Sequence, residues 1–191
     1  MSLSDRLLLA RLRERDEEAF SHIVKLYGDR VFNLVFRFVG NRSEAEDIAQ
    51  EVFVTVFKSI ETFRAESKFS TWLLRIAANH AKNRIKYLSR RPGVGAEEAD
   101  DEEVALSQQR SVPGHMVAPD VMMEAAELGS LLEKAIAKLD EDQRLLILLR
   151  DVEELAYDEI CEITGLPEGT VKSRLHRARI TLKALLEAHT R

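Results

Sequence analysis

The chain has 191 residues, 45% hydrophobic and 32% charged, with a net charge of −5. That balance fits a soluble, core-forming protein and excludes a disordered one. One cysteine, Cys161, excludes an intrachain disulfide and a cysteine-based zinc site, and no run of about 18 apolar residues exists to span a membrane.

The N-terminus, MSLSDRLLLARLRERDEEAF, has a short apolar run broken by arginine. It reads as an amphipathic helix and not as a signal peptide, which implies a cytoplasmic protein without membrane insertion. Across residues 5–39, apolar residues such as Leu12, Ile23, Val31, Leu34 and Phe38 recur at threes and fours, the spacing of a helix face. Asp16, followed by Glu17 and Glu18, predicts a helix start, and Gly40-Asn41 a stop. Ser43-Glu44-Ala45-Glu46 matches a capping box that opens a helix over 44–58, with Ile48, Val52 and Val56 inward. ETFRAESKFS, 61–70, is polar and irregular and reads as a loop carrying Phe63 and Phe69. Ser70 or Thr71 then caps a long helix. Its Trp72, Ile76, Ala77, Ile85 and Leu88 can face a core. Arg75, Asn79, Lys82, Asn83 and Lys86 share another face, suited to phosphates and base edges.

Residues 91–122 lose periodicity and hold three of the four prolines, together with an acidic run at 97–103. They read as a flexible linker, although a long surface loop has the same composition. Periodicity returns at about 123, with a stripe of Leu128, Leu131, Leu132, Ile136 and Leu139, and Asp140 is placed to cap the next helix. The expected architecture is all-α: a helical domain over 1–91, a linker over 92–122 and a second helical domain over 123–191.

The last segment, LAYDEICEITGLPEGTVKSRLHRARITL, has a short helix with Ile160 and Ile163 inward, a glycine stop at Gly165, and Pro167 in the first turn of a second helix. Two helices joined by such a turn form the helix-turn-helix pattern, whose second helix enters the DNA major groove. There Val171, Leu175, Ala178 and Leu182 would pack, while Lys172, Ser173, His176, Arg177 and Arg179 face elsewhere and can donate to phosphate and guanine. A helical hairpin with a solvated basic face is the plainer reading of the same residues. Charge is segregated. Residues 63–91 carry eight Lys/Arg against one acid, and 172–183 five basic residues against none, on either side of the acidic run.

Together these motifs resemble a known family. DIAQEVFVTVFKSIETFRAESKFSTWLLRIAANHAKNRIK is similar to region 2 of bacterial group IV (extracytoplasmic function) sigma factors of the sigma-70 family. YDEICEITGLPEGTVKSRLHRAR is similar to their region 4. The resemblance covers residues 5–88 and 124–187. It implies an alternative sigma factor that directs core RNA polymerase to promoters. Asp47, Gln50 and Glu51 would dock on the β′ clamp helices, and region 4 would meet the β flap. Phe63, Arg64, Ser67, Arg75, Asn79, Lys82 and Asn83 would melt and hold the −10 element. Lys172, Ser173, His176 and Arg177 would read the −35 element, with Arg150 on the backbone. The acidic linker would thread through the polymerase. An anti-sigma factor would hold the protein inactive until a stress signal. No catalytic residue, cofactor or metal is implied.

The sequence departs from the family at Ala156, where an N-cap hydroxyl is usual, and at Cys161, where alanine is usual. His176 occupies a position that varies within the family. Two rival readings remain at this stage. One is an ordinary helix-turn-helix regulator that binds a duplex operator unaided. The other is a DNA enzyme such as a serine recombinase, against which stand an all-helical N-terminal half and scattered histidines.

Overall fold

The computed structural model describes residues 3–90 and 119–189. All regular elements among them are helical: α1 (Leu3–Arg13), α2 (Glu17–Val39), α3 (Arg42–Ser59), a 3₁₀ turn (Ile60–Thr62), α4 (Phe69–Ser89), α5 (Pro119–Ala137), α6 (Glu141–Ile147), α7 (Tyr157–Thr164) and α8 (Glu168–His189). The first four helices form one bundle and the last four a second. Most of the segment read as a linker lies outside the described residues. α5 begins at Pro119, a few residues before the periodicity resumes.

Caps set the boundaries of the first bundle. Asp16 accepts the Ala19 amide at the head of α2, and Gly40, at φ 80°, closes its tail through a bond to the Phe36 carbonyl. α3 starts earlier than Ser43 predicts. Asn41 is the cap, accepting from the Glu44 amide at 2.9 Å, so Ser43 lies inside the helix and Glu46 pairs with Arg42. Asparagine caps as well as serine does, and it stands two residues nearer the Gly40 stop. α4 begins at Phe69, ahead of both predicted caps. Lys68 holds the cap position with no side-chain bond, and there is no acid in the first turn.

Leu34, Val35 and Phe38 of α2, Ile48, Val52 and Val56 of α3, and Leu73, Ala77 and Ala81 of α4 fill the first core. In the second bundle, five consecutive residues, Leu145 to Leu149, are all buried. A helix apolar on every side must be covered on every side. α6 is packed against α8 and α5, and also against α2 of the first bundle. The helix continues as a π-turn over Leu148–Val152. The predicted α5 stripe divides: Ile136 and Leu139 are buried, whereas Leu128 and Leu132 are exposed.

The two bundles meet along several polar contacts. Arg30 pairs with Glu153 at 2.6 Å and Arg37 with Glu133 at 3.4 Å. Arg144 donates to the carbonyls of Phe38 at 2.7 Å, of Leu139 at 3.1 Å and of Ala137. The Phe38 carbonyl lies in the last turn of α2, where the helix leaves acceptors unused. Burial pushes the Arg144 guanidinium below its ordinary value, against the pull of Glu141 and Asp140.

Candidate nucleic-acid interface

α8 owes its orientation to local structure. Gly165 adopts φ 71° and its amide bonds the Cys161 carbonyl, ending α7 in the left-handed conformation glycine takes without strain. The Pro167 carbonyl accepts from the amides of Thr170 and Val171, so proline sits one step ahead of α8 and its missing N–H costs nothing. Val171, Leu175 and Ala178 are buried, and Leu182 packs against the core. The opposite side exposes Lys172, Ser173, His176 and Arg177 together. Lys172 is braced by Glu168 at 2.6 Å and lies 5.2 Å from the centre of the Tyr157 ring. Arg179 pairs with Asp151.

Arg150, the residue expected on the DNA backbone, is half-buried beside α7. Its guanidinium stacks 5.0 Å over Tyr157 and donates to the Leu155 carbonyl at 2.6 Å, bracing the entry to α7. Ala156 caps α7 with no side-chain acceptor, but Glu159 reaches back to the Ala156 amide at 3.1 Å, which makes half of a capping box. Cys161 is half-buried against the core. Burial, then Glu168 and Asp158, pushes its thiol up, away from thiolate chemistry.

The second group of candidates sits on α4 and the loop before it. Arg64, Asn79 and Asn83 are exposed and Arg75 is half-buried. Phe63 is only 2% exposed, because its ring packs 5.7 Å from Phe69 and 5.3 Å from Trp72. The periodicity could not anticipate that burial, since the loop folds its aromatics back onto α4. Ser67 donates to Glu162 of α7 at 2.6 Å, and Lys82 is 2.9 Å from Asp142 of α6. Asp142 also pairs with Arg174 of α8, so one carboxylate serves cations from both bundles. Those partners hold it below the ordinary carboxylate range, Lys82 first.

Glu159 is the centre of this contact. It accepts from Thr71 at 2.9 Å and pairs with Lys68 at 3.2 Å. Burial pushes its carboxyl up, but the bonds from Ala156, Thr71 and Lys68 outweigh burial and leave it lowered. Glu159 and Glu162 thus stand at the N-terminal turn of α4, which has no acid of its own and where negative charge is favoured. Asp142, Glu159 and Glu162 were missed by sequence reasoning, because their partners lie 60 to 95 positions away.

The third group, Asp47, Gln50 and Glu51, lies on the exposed side of α3 around a shallow groove shared with Val54, Thr55, Lys58 and His80. Among the described residues no cluster of three or more metal-binding side chains occurs, and no helix is long and apolar enough to cross a membrane.

Comparison with known proteins places the chain in a class. A family model described as Sigma-70 region 2 matches residues 23–91, and one described as Sigma-70, region 4 matches 130–182. The first covers α3, the loop and α4; the second covers α6 to α8. The chain is 38% identical over 178 residues to the ECF RNA polymerase sigma factor SigW of Bacillus subtilis, covering 93% of this chain and 94% of that one. It is 39% identical over 180 residues to the ECF RNA polymerase sigma-E factor of Haemophilus influenzae, covering 93% and 92%. Among solved structures, CnrH in complex with the cytosolic domain of CnrY matches with a TM-score of 0.66 at 24% identity, over 96% of this chain and 97% of that one. The sigma factor RpoE in complex with the anti-sigma factor NepR, from Bartonella quintana, matches with a TM-score of 0.63 at 23% identity, over 88% and 96%. The chain belongs to the ECF RNA polymerase sigma factors, and it is an alternative sigma factor that directs transcription initiation.

Proposed function

We propose that α3 docks on core RNA polymerase through Asp47, Gln50 and Glu51. α8 reads the −35 element through Lys172, Ser173, His176 and Arg177. The loop and α4 open and hold the −10 element. The observation that carries this reading is the shared exposure of those four α8 residues opposite a buried face. The two domains correspond to residues 1–91 and 123–191. The polymerase supplies the chemistry, so the chain needs no catalytic site, and it acts in the cytoplasm.

The closed contact adds a condition. Ser67 and Lys82 are bonded to Glu162 and Asp142, so DNA must compete with those carboxylates, and moving α6 and α7 off α4 would free both residues for −10 capture. Phe63 must leave its aromatic cluster if it is to stack on an unpaired base. An anti-sigma partner, as in the solved complex of the Bartonella protein with NepR, would act by holding the closed arrangement.

The test is transcription by bacterial core polymerase on a pooled promoter library, with and without the protein. New start sites that share two sequence elements are the expected result. If the protein fails to bind core but shifts a duplex alone, it acts as an ordinary helix-turn-helix regulator, and the proposed docking and opening roles are overturned.

A further inference from the structure

The proposed docking face on α3 is braced from α4. Arg84 donates to Glu44 at 2.7 Å and to Glu51 at 2.9 Å, so one guanidinium ties two carboxylates of α3. His80, one turn earlier on α4, faces the other Glu51 oxygen at 3.4 Å. Its Nε2 lies 3.0 Å from the Thr55 hydroxyl. That hydroxyl already donates to the Glu51 carbonyl at 2.9 Å, so it accepts from His80. Glu51 itself stays half-exposed, and the groove beside it presents Val54, an apolar residue 49% exposed among polar neighbours.

Given the reading of Asp47, Gln50 and Glu51 as the polymerase-docking face, we infer that Arg84 and His80 are positioning residues for that docking, and that Val54 is its apolar contact. An unrestrained glutamate on a helix surface samples many rotamers and loses that freedom on binding. Here Arg84 holds one Glu51 carboxylate oxygen before the partner arrives, and the His80 ring lies against the other at 3.4 Å. The guanidinium fork suits the task because it spans two acceptors in fixed geometry, which an ammonium does not. The brace also connects two jobs. His80 follows Asn79 and Arg84 follows Asn83 along α4, so the helix proposed to hold −10 DNA also fixes the polymerase contact.

The test is binding of the full chain to core polymerase, followed by fluorescence anisotropy, with thermal unfolding measured alongside. Arg84→Ala is expected to weaken core binding about tenfold, and Arg84→Lys to fall between it and the parent. In a Glu51→Gln background, Arg84→Ala should cost little more, since the two act through one contact. Val54→Asp should weaken binding without lowering the unfolding temperature. Arg84 could instead merely neutralise Glu51. Its removal would then strengthen binding to donors on the partner, and that result overturns the inference, as does full additivity with Glu51→Gln. If Gln50→Ala weakens core binding while Arg84→Ala and His80→Ala bind as the parent does, the positioning role alone falls. If the parent does not bind core, the docking assignment falls with it.

Discussion

Helix α8 and the side of α4 proposed to hold DNA carry similar chemistry and stand in opposite situations. α8 presents Lys172, Ser173, His176 and Arg177 to solvent, positioned by a glycine stop, a proline start and a buried face that all lie within 18 residues of one another. α4 and its loop present Arg64, Asn79 and Asn83, but Ser67 and Lys82 are held by carboxylates from the other bundle. One surface is made by local sequence; the other is covered by distant sequence. A surface with the composition to hold DNA can thus be covered by carboxylates from another part of the chain.

The strongest way to break this comparison is to remove the support of α8. Leu175 is 1% exposed, and Leu175→Ala should destabilise the second bundle by about 2–5 kcal/mol. Binding to −35 duplex DNA should collapse while core docking through α3 persists. Loss of both together in a titration against core would show that the bundles are energetically one unit. A smaller change tests the reading face itself. Arg177→Ala should cost about 1–3 kcal/mol of discrimination at one −35 position if it reads a base. A uniform loss across sequences would instead assign it to the phosphates.

The covered surface offers its own test. Asp142→Asn with Glu159→Gln removes the negative charges that face Lys82, Lys68 and Arg174. Exposed pairs of this kind contribute up to about 1 kcal/mol each. The double variant should expand in small-angle scattering and bind a single-stranded −10 fragment several-fold more tightly. Neutralising Glu14 and Glu17 controls for net charge, and an equal gain there would show that masking is irrelevant. Acid should act in the same direction. Both carboxyls are lowered in the closed form, so their contribution is fully present above the ordinary carboxylate value of about 4 and is lost as pH falls through the lowered values. The parent should open on acidification to a greater extent than the double variant, which keeps the contacts of Glu133, Glu153 and Glu162 across the bundles.

The same division explains what the sequence discloses. The helix-turn-helix was legible because Gly165, Pro167 and the apolar spacing of Val171, Leu175 and Ala178 act over a few residues. Asp16, Gly40 and Asp140 were legible as caps for the same reason. Ser43 misled because Asn41 competes for the same helix end. The covering of α4 depends on contacts that no window of periodicity contains, whereas the burial of Phe63 and the bond from Arg150 to the Leu155 carbonyl are made by near neighbours across turns, where helix spacing does not apply. The run from Leu145 to Leu149 did carry a signal, since five consecutive apolar residues require burial on more than one side, but it did not name α2 as the cover.

The finest test lies at Ala156, where the local and distant contributions meet. Its backbone, φ −69° and ψ 159°, already has cap geometry, but the side chain offers no acceptor. Ala156→Ser would supply a hydroxyl for the Glu159 amide while Glu159 keeps the Ala156 amide, completing the box. The expected gain is about 0.5–1 kcal/mol in the unfolding of the second bundle. Glu159 uses its other oxygen for Thr71 and Lys68, so a tighter α7 start should leave the α4 contact intact. Binding of the −10 fragment by Ala156→Ser should then match the parent. A change in that binding would mean that the cap and the interdomain contact compete for one carboxylate, and the separation between a locally built surface and a distantly covered one would fail at Glu159.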